Sequence, residues 1–133
     1  MTAKLIITWL LRLTAVIIIG MTLYFKFSGH PQSVRLFTAL GMEPWGRIGT
    51  GIFEVIACIL LLNPKTTGWG ALLGCGLMAG AIFFHLTKLG IKFEGDYVLF
   101  TEAVVAFVSC LLLLVIYRVQ VLRVLPGNHP VYS

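Results

Sequence analysis

The chain has 133 residues, 59% of them hydrophobic and 11% charged, with a mean hydropathy of +0.98. A soluble domain carries about a quarter charged residues, so a water-soluble globular fold is excluded and an integral membrane protein is expected. The net charge of +5 rests on ten basic residues set beside the apolar runs, which suits lipid headgroups and topology signals and lacks the basic patch that nucleic acid requires.

The first apolar run covers residues 5–25, after Lys4 and around Arg12. It is longer than the apolar region of a secretory signal, and no small-x-small cleavage site follows it, so it is expected to stay as a span. Next comes "KFSGHPQSVRLFTALGMEPW". Here Gly29 and Pro31 break the first helix. Ser33 is expected to cap a short helix that Gly41 ends, and Val34, Phe37 and Leu40 recur at three-residue spacing. This predicts a short amphipathic helix at the interface, acting either as a lid over the bundle mouth or as a plain connector.

The second span covers 44–62, with Pro44 in its first turn and Asn63-Pro64 ending it. The third covers 67–89 and the fourth 97–117. A crossing needs about 20 helical residues, and each run is long enough. No repeat or low-complexity segment divides the chain. The expected fold is all-α: a four-helix membrane bundle forming a single transmembrane domain over residues 1–133.

Interfacial aromatics agree with these spans. Calling the N-terminal side of the bundle side one, Trp9, Trp69 and Tyr117 fall toward side one, and Tyr24, Trp45 and Tyr97 toward side two. The basic residues nearly balance: Lys4, Lys65, Arg118 and Arg123 on side one, Lys26, Arg35, Arg47, Lys88 and Lys92 on side two. Charge count alone therefore leaves the orientation open. An even number of spans places both termini on one side.

The second span, "IGTGIFEVIACILLL", carries one ionisable carboxylate, Glu54. Such a residue is costly against lipid and usually faces protein or a cavity. Glu54 lies seven residues past Arg47, about 10 Å below side two at 1.5 Å per residue. Glu102 lies roughly 8 Å below the same surface on span four, and His85 about one turn in on span three. Lys26 closes span one there, with a stem able to reach inward. Four helices thus bring Lys26, Glu54, His85 and Glu102 to one shallow layer. Arg12 lies toward side one, away from it, and is expected to snorkel or to meet a backbone carbonyl.

This layer admits several readings. It is a buried ion network that fixes packing, a proton relay, or a pocket for a lipophilic ligand in which His85 and the two glutamates are hydrogen-bond or proton partners. Quinone chemistry fits the third reading, because quinone carbonyls need donors and their reduction needs protons. No compact metal-ligand motif joins these residues, and one intramembrane histidine does not make a bis-histidine haem site. No catalytic residue is identifiable. Cys58, Cys75 and Cys110, an odd number without C-x-x-C spacing, are expected to be small packing residues. In "GWGALLGCGLMAG", Gly70 and Gly74, and Gly76 and Gly80, have the spacing of close helix contacts, within the bundle or in a homodimer.

Several stretches resemble the DoxX family. They are Leu11-Arg12-Leu13 early in span one, "YFKFSGHP" at its end, "LFTALGMEPWGRIGTGIFEVIACILLL" after it, and His85 late in span three. They occur in the family's order over residues 5–117. Lys26, Glu54 and His85 match family positions, whereas Glu102 is singled out by depth alone. Where the family often has Gly-Gly after the span-two glutamate, this chain has Ala57-Cys58, so a close backbone approach there is not expected. The resemblance implies a four-helix bundle in the bacterial inner membrane with both termini cytoplasmic. The family takes its name from a membrane subunit of a thiosulfate:quinone oxidoreductase, and relatives act as accessory or assembly factors. It therefore implies an accessory subunit of a quinone-linked redox system, with a non-enzymatic assembly partner as the alternative. A small proton-coupled transporter is the third reading. The four-helix multidrug transporters rely on a glutamate in span one, where this chain has Arg12 and Lys26.

Overall fold

The structure, a computed structural model, describes residues 3–90 and 97–123. Lys92, Glu94 and Asp96 lie outside the described residues. The elements are α1 (Ala3–Phe27), α2 (Pro31–Ala39), α3 (Trp45–Leu62), α4 (Thr67–Phe84), a π-helical turn (His85–Leu89), α5 (Val98–Ile116) and α6 (Arg118–Leu122). Helices α1, α3, α5, and α4 with its π-helical turn, are long and apolar enough to cross a membrane. The protein is thus an all-α membrane bundle of four spanning helices.

Helix α1 packs on α3 and α5, and α4 packs on the same two, so α1 and α4 stand on a diagonal. The outer surface is apolar, as a bilayer requires: Leu10 is 60% exposed and Ile59 63%. The centre is built from smaller residues, including Ala15, Ala71, Cys75, Ala106 and Cys110. Lipid tails are as apolar as leucine, so helices associate through close packing rather than through hydrophobic burial. Gly70 shows this. A Cβ there would stand 2.6 Å from the Leu61 backbone nitrogen, and one at Gly74 would stand 2.6 Å from Cys110 Sγ. These two glycines are buried inside the bundle. Gly76 and Gly80 have nothing within 4 Å of the same position.

Two arginines tie α1 to α3 reciprocally. Arg12, 1% exposed, donates from Nε to the Leu61 carbonyl at 2.7 Å and from Nη2 to the Leu62 carbonyl at 2.6 Å, with its guanidinium 3.8 Å from the Trp9 ring centroid. A helix leaves its last carbonyls unpaired, and Arg12 satisfies two of them at the end of α3. At the opposite end Arg47 of α3 donates from Nη1 to the Lys26 carbonyl in the last turn of α1. Glu43 holds that guanidinium, with both carboxylate oxygens 3.0 Å from Nε. On the far side of the bundle Gln120 of α6 accepts from the Gly68 N–H and donates to the Pro64 carbonyl, both at 2.7 Å. It thereby ties α6 to the α3–α4 turn.

The short interhelical segment is helical as expected, but its cap differs. The capping residue is His30, whose Nδ1 accepts from the Gln32 N–H at 3.2 Å, rather than Ser33. Pro31 lacks an N–H and has a φ preset for a first helical position, so the helix starts as soon as His30 ends. Gly41, at φ +72°, follows its other end. Phe37 and Leu40 are buried, and α2 lies against α1, α3 and the π-helical turn.

Candidate functional site

Glu54 is fully buried, and its Oε1 forms an ion pair with Lys26 Nζ from the end of α1. Its Oε2 lies 2.8 Å from Thr22 Oγ1, which is also 2.7 Å from the Ile19 carbonyl, so one hydroxyl proton serves two acceptors. The Lys26 side chain is 13% exposed. Removing both charges from water is costly, and the pair offsets that cost only because its contacts are close and its remaining oxygen is bonded. This is the local reason a carboxylate is tolerated in an apolar helix. Lys26 also sits in the last turn of α1, where a cation is favoured by the helix dipole.

His85 is 4% exposed and opens the π-helical turn. Its Nδ1 lies 3.0 Å from the Gly90 carbonyl. A carbonyl only accepts, so Nδ1 carries the proton, and in the neutral ring Nε2 is the acceptor. The ring packs edge-on against Phe100 of α5, with centroids 5.8 Å apart. Gly90, at φ +80°, adopts a conformation that side-chain-bearing residues rarely take. It turns its carbonyl back toward His85. A π turn of this kind often marks a functional position in an α-helix.

Lys26, Glu54, His85 and Glu102 line one cavity of about 360 Å³. Thr22 and Thr50 add hydroxyls, and Ser33, Leu36 and Phe37 of α2 form part of its wall. Deeper walls are apolar, including Ile18, Ile19, Leu77 and Met78. The volume lies within the roughly 300–1,000 Å³ typical of small-ligand sites, and an apolar chamber with a few polar groups is the usual form of such sites. Among the described residues, no three histidine, cysteine or acidic side chains come together as a metal site would require.

A family model described as "DoxX-like family" matches residues 10–117. The chain belongs to the DoxX-like family. No curated protein and no solved structure matches it. The match takes in Lys26, Glu54, His85 and Glu102, together with both arginines that tie α1 to α3 in this DoxX-like protein.

Sequence reasoning did not find Thr22, Arg47 as a cap for α1, or Gln120. Thr22 has a recognisable signal, because it lies four residues before Lys26 and so on its face of α1. For Gln120 the sequence carries none, since its partners lie more than fifty positions away.

Proposed function

We propose that this DoxX-like protein is an accessory membrane subunit of a quinone-linked redox system, and that its cavity holds the head of a lipophilic ligand. The supporting observation is that an ion pair, a tautomer-fixed histidine and a second carboxylate line one chamber whose remaining wall is mostly apolar. The residues present fit a quinone. Its carbonyls need donors, and Lys26 and Thr50 carry them; its ring needs apolar walls, which Ile18 and Met78 offer. A bound quinone would supply two-electron redox chemistry. The protein's own part is to orient the head beside the Lys26–Glu54 ion pair, exclude water through α2, and offer Glu102 and His85 Nε2 as places for a proton.

The reading places the protein in the bacterial inner membrane with side one, and both termini, in the cytoplasm. A non-enzymatic assembly partner is the second reading. It draws on the same pair: Lys26 neutralises Glu54 so fully that a packing role would explain both residues.

The deciding experiment is mass spectrometry of quinone and lipid co-purifying with wild type, Glu54→Gln and His85→Ala. A quinone retained by wild type and lost from folded variants supports the ligand site. No specific ligand in wild type, with both variants unstable, overturns it and favours the assembly partner.

A further inference from the structure

The glycines of α4 are packed differently along its length. Near side one, Gly70 brings α4 against the backbone of α3. Toward side two, Gly76 and Gly80 have the same spacing but border open space. Gly76 is exposed on the outer surface and also lines the cavity. Outside it lies a groove between α3 and α4, walled by Phe53, Leu60, Trp69, Leu72 and Leu73. Cavity and groove meet at Gly76 and Leu77, which line both.

The chamber therefore has a polar end crossed by α2, and further down it shares its wall with the apolar groove at Leu77 and at Gly76, which has no side chain. From His85 to Gly76 is about 13 Å along the helix, and from Gly76 to Trp69 about 10 Å more. A chamber of about 360 Å³ lies at the small end of the range for small-ligand sites and accommodates a ring-sized head.

We propose that the ligand is an amphiphile with a compact polar head and one long hydrocarbon chain, and that this chain leaves sideways over Gly76 to lie in the groove toward Trp69. The inference rests on the lipophilic-ligand reading and adds the class of ligand and its path. Isoprenoid and acyl chains share the required chemistry. Within a bilayer the groove gains no hydrophobic energy over lipid, because acyl tails are as apolar as its walls. The path over Gly76 thus acts sterically: it lets a tailed molecule place its head in the chamber.

The test uses the full chain in lipid nanodiscs, with a short-chain and a long-chain benzoquinone bearing the same head. Affinities are measured for wild type and Gly76→Trp, and their ratio cancels the chains' different partitioning into lipid. The bulky residue is expected to weaken the long-chain quinone about tenfold more than the short-chain one, by overfilling the exit. Equal effects on both overturn the chain path and leave the quinone reading standing. Should Gly76→Trp fail to fold, wild type is labelled with a quinone carrying a diazirine on its chain. Labelling of the groove residues that excess short-chain quinone abolishes supports the path, and labelling on α1 or α5 overturns it. If wild type binds neither quinone, the quinone reading falls. A single-chain phospholipid with a diazirine in its acyl chain then decides: saturable labelling of the groove sustains the path with an acyl chain, and none overturns it.

Discussion

Glu54 and Lys26 illustrate how a buried charge depends on its partner. Deleting one member leaves the other charged and unmatched, so Lys26→Met is expected to destabilise the bundle by about 3–5 kcal/mol, seen as a lowered unfolding temperature in detergent. The double variant Lys26→Met with Glu54→Leu should recover most of that loss, because apolar replacement of a buried pair is often close to neutral. A double variant no more stable than the single one would contradict this account. If folded, it also separates the two functional readings, since a ligand site loses its ligand and a purely structural pair loses nothing. Arg12 makes a second residue-level case. Arg12→Leu leaves two carbonyls at the end of α3 without a charged donor and should cost about 1.5–3 kcal/mol per hydrogen bond to a charged group. Arg12→Lys, a point charge that lacks the planar fork, should recover part of it. Thermal unfolding of the two variants side by side provides the measurement.

Helix-level behaviour turns on which faces meet. Gly70→Ala forces a methyl against the α3 backbone at 2.6 Å, and overpacking of this kind costs about 1–3 kcal/mol. Gly80→Ala adds its methyl to open space and improves helix propensity by up to about 1 kcal/mol. Unfolding temperatures should therefore move in opposite directions, and a shared direction would refute the unequal packing of the α4 glycines. In α2 the cap belongs to His30, so His30→Ala should raise amide exchange across the first turn of that helix, whereas His30→Asn, which retains an acceptor, should not. Protection unchanged in both would remove the cap from the account.

At the level of the whole bundle, four spans put the turn between α3 and α4 on the side opposite α2. With side one in the cytoplasm, Lys65→Cys should react with a membrane-impermeant maleimide only after the membrane is opened. Arg35→Cys should react in intact cells. The reverse pattern would invert the proposed orientation without affecting the fold.

The number of spans was legible in the sequence because it is a property of single helices, and the presence of Lys26, Glu54, His85 and Glu102 around one cavity agrees with the depths expected from each helix alone. Crossing a bilayer depends on local length and hydropathy, and depth follows from the rise per residue. For Arg12 the sequence left two outcomes, snorkelling or a backbone carbonyl, and the structure decides for the carbonyls of Leu61 and Leu62. The short helix was read correctly as an element, but its cap was assigned to Ser33, since a histidine ring accepting from Gln32 is a matter of rotamer rather than of residue type. What remained hidden depended on pairs of helices. Nothing in the spacing distinguishes Gly70 and Gly74, which are packed shut, from Gly76 and Gly80, which border open space. That difference arises because Gly70 meets the α3 backbone and Gly74 meets Cys110 of α5, whereas nothing comes within 4 Å of a Cβ at Gly76 or Gly80, and such a relation exists only once four helices have packed around one another.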